Sequence, residues 1–327
     1  MARPKRLLAL ALAAPLLMSA CSTENSGGGD ESGDGGGATA SGDLDFAVVT
    51  HGSAGDAFWD VVQNGAEAAG EDLGVGVDYQ SDGDPQRQSQ LIEAAVNQDV
   101  DGIVVSLANP DALEDSIGAA VDAGIPVVTI NSGGDRSAEF GAIGHVGQDE
   151  TIAGIGAGQR LAADGAQNVL CVVHEAGNIG LEQRCDGASQ GLGTDVRLLQ
   201  VDINDLQAAQ STITSQLQSD PSIDAVLTLN SAVASVAASA ADDAGSDAEI
   251  ATFDLNGDVI AAIQDGTISF AVDQQQYEQG YLPLVMLKLY AENRNTVGGG
   301  QPVLTGPAIV DAENVDEIAD LASAGTR

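Results

Sequence analysis

The chain has 327 residues, 43% of them hydrophobic, and its formal net charge at pH 7 is −38. The length allows about two domains, and the hydrophobic content is enough to build a core for each of them. Nucleic acids and anionic membranes need a basic protein surface, so this charge excludes both as partners and disfavours an anionic ligand.

Residues 1–20 have the features of an export signal. Arg3, Lys5 and Arg6 precede an apolar run at 7–18 that is too short to span a bilayer permanently. The segment 17–21 resembles a bacterial lipobox, in which the cysteine is lipidated and becomes the first residue of the mature protein. We therefore expect a lipoprotein anchored to the outer face of the cell membrane by lipid at Cys21, with plain secretion as the alternative. Residues 22–42 contain no large apolar side chain, so residues 21–43 are expected to form a disordered tether.

From residue 44 onward, apolar strand patterns alternate with helical patterns. Phe46 to Val49 predict a buried strand, a Gly/Ser loop follows, and Trp59, Val62 and Ala66 then fall on one face of a helix. The same cycle predicts strands at 75–80, 102–106, 125–130, 142–146, 168–173, 196–201, 224–229, 249–253 and 268–272. A long helix is predicted at 277–290, with Pro283 in its first turns, where proline is tolerated. This alternation predicts an α/β fold with two lobes, each built on a doubly wound parallel sheet.

Polar side chains follow the predicted strands in both halves of the chain, namely Asn131, His174, Asn178, Asn230, Asp254 and Gln274. Ligands of open α/β sheets bind at the carboxyl ends of the strands, so these residues indicate a shared crevice. Each has an alternative role: Asn230 and Asp254 could cap helices, and His174 could serve as an ordinary strand-end hydrogen-bonding residue.

Three further side chains have two possible roles each. Phe58 and Trp59 follow the first loop, where an aromatic pair suits stacking on a sugar ring, although Trp59 could equally belong to the core. Arg184 could bind ligand hydroxyls or pair with an acid at the base of its own helix.

The remaining cysteines and motifs argue against catalysis and metal binding. Cys171 and Cys185 form an even pair that suggests a disulfide in an oxidising exterior, with two buried free thiols as the alternative. Residues 187–191 match the G-x-S-x-G pattern of hydrolases but fall inside a predicted helix, and all three histidines precede Ser189. The histidines are not at metal-ligand spacing with the cysteines. We expect no enzyme, no metal and no cofactor.

Several short motifs, in order and spacing, carry a family resemblance: Ala57-Phe58-Trp59 and residues 123–128, 145–149, 224–226, 252–254, 263–266 and 271–274. Together they resemble the ribose-type periplasmic sugar-binding proteins of ABC importers, which share their ligand-binding core with lac-repressor-like regulators. The resemblance implies two lobes, 44–147 plus 275–305 and 148–274 plus 306–327. They would be joined by three crossings near Gly147, Gln275 and 304–307. The implied ligand-binding residues are Asp56, Phe58, Trp59, Asn131 and Ser132 in the first lobe, and the loop before Arg184, Asn204, Asn230, Asp254 and Gln274 in the second. The residues themselves add His174 and Arg184 to the expected ligand-binding set.

The resemblance also implies a mechanism of binding alone. Hinge closure would capture a neutral monosaccharide or polyol, and the closed protein, expected to be a monomer, would deliver it to an ABC permease in the membrane. Ribose binders carry an acid–arginine pair where this chain has Asn131-Ser132, and an arginine where it has Glu182. Both departures favour a sugar or polyol other than ribose. The alternative is a module that presents a signal molecule or nucleoside to a sensor.

Overall fold

The computed structural model describes residues 44–53 and 55–327. The expected export signal, the lipidation at Cys21 and the tether at 21–43 therefore lie outside the described residues. The elements follow in this order: β1 (Asp45–Thr50), α1 (Ala57–Leu73), β2 (Gly76–Ser81), α2 (Pro85–Asn97), β3 (Gly102–Ser106), α3 (Pro110–Asp122), β4 (Val127–Ile130), β5 (Gly144–Gly147), α4 (Glu150–Asp164), β6 (Val169–Val173), α5 (Ile179–Leu192), β7 (Arg197–Gln200), α6 (Leu206–Ser219), β8 (Ala225–Thr228), α7 (Ser231–Ala244), β9 (Glu249–Phe253), α8 (Gly257–Asp265), β10 (Phe270–Asp273), α9 (Gln276–Asn293), β11 (Val303–Leu304), β12 (Ala308–Asp311) and α10 (Val315–Ser323). Within these ranges, no helix is long and apolar enough to cross a membrane.

The first sheet has six parallel strands in the order β11-β5-β4-β3-β1-β2. Successive residues of a central strand are buried on opposite faces. Val48 packs in a core with α1 and α9, whereas Val49 packs in a core with α2 and α3. Because helices cover both faces, the strands are continuous apolar runs. We call this sheet with its helices the first lobe.

The second sheet has the order β12-β10-β9-β8-β6-β7 and is parallel except for β12, which pairs antiparallel with β10. Helices α4 and α5 cover one face, and α6, α7, α8 and α10 cover the other. We call this sheet with its helices the second lobe. The expected α/β architecture of two lobes is confirmed. The antiparallel β12 departs from the purely parallel expectation, as edge strands of such sheets commonly do.

The chain passes between the two sheets three times: between β5 and α4, between β10 and α9, and between β11 and β12. The second crossing leads into α9, which packs against α1 of the first lobe. Pro283 lies inside α9, beyond its first two turns, so the expectation that it lies in the first turns is wrong. Because proline has no amide hydrogen, the carbonyl of Gln279 lacks its usual helical donor.

Helices α4 and α5 approach each other closely because glycines line their contact. A Cβ atom on Gly187 would clash with the carbonyl oxygen of Thr151, and one on Gly191 would clash with that of Ile155. The G-x-S-x-G residues are therefore a helix-packing surface inside α5, and Ser189 does not sit on the strand-to-turn elbow that a hydrolase nucleophile needs.

A disulfide joins Cys171 on β6 to Cys185 on α5, with the two Cα atoms 6.0 Å apart. Both residues are fully buried in the core of the second lobe. The bond holds α5 against the sheet immediately after Arg184, and so it helps to fix the position of that side chain.

Seven of the described helices begin at an Asp or Asn whose side chain accepts a hydrogen bond from a first-turn backbone amide: Asp56, Asp84, Asp149, Asn178, Asp205, Asn230 and Asn256. Each cap of this kind stabilises its helix by about 1 kcal/mol. Asp56, Asn178 and Asn230 lie where strands end and helices begin, at the edges of the two sheets that face each other.

Candidate functional site

A small cavity of about 30 Å³ lies between the two lobes, and we call it the inner cavity. Its lining comes from strand ends and helix starts of both sheets. Ten of the eleven ligand-binding residues expected from the sequence line it: Asp56, Phe58, Trp59, Asn131, Ser132, His174, Arg184, Asn230, Asp254 and Gln274. The structure therefore brings together side chains that are up to about two hundred residues apart in the chain, as the carboxyl edges of two parallel sheets require.

Asn204 is the expected residue that does not line the inner cavity. It follows β7 on an exposed loop, where its side chain donates a hydrogen bond to Asp202 at 3.0 Å. It lines a larger neighbouring cavity of about 610 Å³, which we call the outer cavity. Asn204 thus lies beside the inner cavity that the other ten residues line, and its contact with a ligand stays a prediction.

One wall of the inner cavity is aromatic. The ring of Trp59 makes edge contacts with Phe58 and His51, at centroid distances of 4.9 and 4.7 Å. Trp59 is only 6% exposed and also packs in the core of the first lobe against the buried residues around Val62. The two roles considered for Trp59 are thus not exclusive, since one part of its ring system lies in the core and another lines the cavity.

The guanidinium of Arg184 forms the floor on the side of the second lobe. It donates to both carboxylate oxygens of Glu150, at 2.5 and 3.0 Å, and to the carbonyl of Leu229 at 3.3 Å. It also lies 4.6 Å from the ring centre of Phe253. Its acidic partner belongs to α4, not to its own helix α5. Because this pair is buried and bidentate, the charge of Arg184 is neutralised before any ligand enters.

Hydrogen bonds cross the inner cavity from one lobe to the other. The amide of Asn230 lies 3.4 and 3.5 Å from the two carboxylate oxygens of Asp56. Asn131 donates to Gln274 at 3.3 Å, and Gln274 donates to Asp254 at 2.6 Å. Several of these distances are long for hydrogen bonds, so a ligand that replaced them with shorter ones would gain free energy.

Two polar lining residues, His51 and Glu175, were not expected from the sequence; a third, Asn178, was expected at the crevice from its place after a strand but was not in the ligand set that the resemblance implies. His51 directly follows β1, and its Nδ1 lies 2.6 Å from Ser106 Oγ. Glu175 and Asn178 follow β6, and Asn178 donates to Glu175 at 2.7 Å. His51 and Glu175 also follow strands, so the pattern of polar residues after strands that pointed to Asn178 could have identified them; only their orientation toward the cavity needs coordinates.

The ionisable groups of the cavity are perturbed by burial. Burial raises the pKa of the Asp254 carboxyl to about 7, although the charge of Arg184 acts in the opposite direction. Burial also raises the pKa of Asp56 to about 6. It lowers the pKa of His174 to about 4 and lowers the pKa of His51 as well. At pH 7 both imidazoles are therefore neutral and can exchange hydrogen bonds with hydroxyl groups.

The raised pKa of Asp254 predicts that the stability of the folded protein depends on pH. Between pH 4 and pH 7, roughly, the folded protein keeps a proton on Asp254 that the unfolded chain has already released, so the free energy of unfolding decreases as the pH rises through this window. From pH 4 to pH 7, the free energy of unfolding of the wild-type protein should fall by up to about 4 kcal/mol more than that of the Asp254→Asn variant. Urea unfolding of both proteins across the window measures this difference, and parallel pH curves would contradict it.

Among residues 44–53 and 55–327, no group of three or more His, Cys, Asp or Glu side chains is arranged to hold a metal ion. The chemistry that the described site offers is hydrogen bonding by amides, imidazoles and carboxyl groups beside an aromatic wall. This combination suits the polar edges and apolar faces of small polyhydroxylated molecules.

Known proteins are similar to this chain in sequence and architecture. A family model described as a periplasmic binding protein domain matches residues 46–295. A carbohydrate transporter from Acidothermus cellulolyticus, solved in complex with myo-inositol, is 44% identical, with a TM-score of 0.86 over 88% of this chain and 100% of that chain.

Two curated relatives match a shorter part of the chain. The xylose/arabinose-binding protein of Sulfolobus acidocaldarius is 26% identical over 216 residues, which are 61% of this chain and 54% of the relative. The ribose import binding protein of Bacillus subtilis is 28% identical over 204 residues, which are 61% of this chain and 65% of the relative. The chain thus spans between about half and two thirds of the length of these relatives.

Proposed function

The chain belongs to the periplasmic binding protein domain family, and we propose that it captures a neutral monosaccharide or polyol between its lobes and delivers it to an ABC importer in the membrane. The family is a class of extracytoplasmic substrate-binding proteins, not of enzymes. The observation that carries the proposal is the inner cavity, to which both lobes contribute hydrogen-bonding groups beside one aromatic wall.

Closure of the two lobes provides the mechanism. Residues of both lobes contact each other across the inner cavity, as in the pair of Asp56 and Asn230. A ligand whose hydroxyl groups donate to Asp56 and Asp254 and accept from Asn131 and Asn230 gains its full set of contacts only when the lobes are closed. It therefore shifts the population from the open to the closed form, which a permease can recognise.

The electrostatics of the cavity favour a neutral ligand over an anionic one. Arg184 is already paired with Glu150, and Asp56, Glu175 and Asp254 are acidic. A phosphorylated or acidic sugar would place its charge beside these carboxyl groups without a free cation among the described lining residues. The likeness to the carbohydrate transporter solved with myo-inositol makes that neutral cyclic polyol the first ligand to test.

The remaining parts of the proposal concern location and partners. Lipid at Cys21 would anchor a monomer to the outer face of the membrane, and the segment 21–43 would give it reach to the permease. The export signal and the lipobox-like segment support this arrangement. Metabolic labelling with a radioactive fatty acid should label the wild-type protein and not a Cys21→Ala variant.

Thermal unfolding of the full-length protein with a panel of neutral sugars and polyols tests the proposed function. A ligand at a hundred times its Kd should stabilise the protein by about 2.7 kcal/mol and raise its Tm. Trp59 is the sole tryptophan of the chain, so the same ligand should change the intrinsic fluorescence. An inositol phosphate serves as the anionic control and should do neither. The absence of any response to every neutral polyhydroxyl compound would overturn the proposal.

A further inference from the structure

The outer cavity adjoins the inner cavity, and three of the described residues line both: His51, His174 and Glu175. His51 belongs to the first lobe and Glu175 to the second. Two of their polar atoms, His51 Nε2 and Glu175 Oε2, are 3.7 Å apart, which is too far for a good hydrogen bond. The wall between the two cavities is therefore thin, and its two sides belong to lobes that move apart when the protein opens.

The outer cavity is lined by residue types found in binding sites, and both lobes contribute to this lining. Asn109 of the first lobe begins α3, but its side chain makes no capping hydrogen bond, so its amide is available to a ligand. Gln200, Asp202 and Asn204 contribute polar groups from the second lobe, and Pro85 is one of several apolar residues between them. Polar groups spaced around a small apolar surface are suited to a sugar or polyol ring.

A buried atom in the shared wall lacks a partner. His174 is 6% exposed, and its Nδ1 has no hydrogen-bond partner among the described residues. Buried polar atoms are nearly always paired, and an exception calls for an explanation such as a missing ligand or water. A ligand that extends from one cavity to the other must pass beside His174, where its hydroxyl or bridging oxygen can pair with the ring once the wall opens.

We propose that the outer cavity is a second subsite, and that the preferred ligand of the protein is a glycoside whose two rings occupy the inner and the outer cavity. This inference rests on the proposed function, because the inner cavity must first bind one ring. It also gives Asn204 a role as a contact of the second ring. Because both lobes line the outer cavity, the second ring adds to the free energy of closure.

Calorimetric titration of the full-length protein with matched one-ring and two-ring compounds tests the inference. The probes are myo-inositol against galactosyl-myo-inositol, and glucose against maltose. In at least one pair, the two-ring compound should bind roughly tenfold tighter or more than the one-ring compound. The variants Asn109→Ala and Asn204→Ala should each reduce this ratio several-fold. Asn295→Ala, an exposed asparagine after α9, is the matched control and should leave the ratio unchanged.

The outcomes separate the inference from the proposed function. If the one-ring compounds bind and the two-ring compounds bind no tighter, the second subsite is wrong and the proposed function stands. A two-ring compound could bind tighter than its one-ring partner while Asn109→Ala and Asn204→Ala leave the ratio of the two affinities unchanged. Its second ring would then not lie in the outer cavity, and the inference would be wrong. If no compound of either kind binds, the proposed function itself is overturned.

Discussion

Replacing Trp59 with alanine should raise the Kd for the ligand by about a hundredfold, the usual effect of removing a central aromatic anchor. The same change should lower the free energy of unfolding by about 3–5 kcal/mol, because Trp59 also fills part of the core of the first lobe. Calorimetric titration measures the first effect, and urea unfolding without ligand measures the second.

Two further variants separate binding from stability. Leu284 is fully buried in the same core and does not line the inner cavity, so Leu284→Ala should lose about 2–5 kcal/mol of stability with little change in Kd. Trp59→Phe keeps an aromatic surface and should bind better than Trp59→Ala. If Leu284→Ala weakened binding as much as Trp59→Ala, the aromatic wall would not be a ligand contact.

Replacing Arg184 with methionine should lower the free energy of unfolding by about 3–5 kcal/mol, because Glu150 would be left as a buried, unpaired carboxylate. Both side chains of the pair are almost inaccessible to solvent, at 4% and 3% exposure. The double variant Arg184→Met/Glu150→Leu removes the uncompensated charge and should recover much of the loss. Urea unfolding of the wild type, the two single variants Arg184→Met and Glu150→Leu, and the double variant closes this cycle.

A surface ion pair provides the control for Arg184. Arg136 pairs with Asp111 and Glu139, whose side chains are 87% and 52% exposed. Solvent screens such pairs, so Arg136→Met should change stability far less than Arg184→Met. Equal effects of the two substitutions would mean that the buried pair contributes no more than a surface pair, and the account of the cavity floor would be wrong.

Much of the fold follows from local patterns in the chain. Continuous apolar runs such as the one from Phe46 to Val49 mark strands covered on both faces, and the residue after each run marks the ligand edge of a parallel sheet. That single rule places Asn131, His174 and Asp254 at one cavity. This rule depends only on the parallel direction of the strands, which follows from the alternation of strands and helices along the chain.

Other features depend on contacts that no local pattern encodes. The partner of Arg184 is on a neighbouring helix, because α4 and α5 approach closely through glycines. Asn204 obeys the strand-end rule, but β7 is the edge strand of its sheet, so the loop that follows it lies beside the crevice and not over it. The antiparallel pairing of β12 likewise depends on the path of the last crossing.

The residues that cap α1, α5 and α7 also line the inner cavity, and these two roles together limit which substitutions these positions accept during evolution. If the inner cavity binds the ligand as proposed, a change at Asp56, Asn178 or Asn230 should alter selectivity and weaken a helix start at once. Ser132 also lines the inner cavity, but it does not cap a helix. We therefore expect natural variation in ligand preference, and successful engineering of it, to concentrate at Ser132 and similar loop positions, while the capping positions resist substitution.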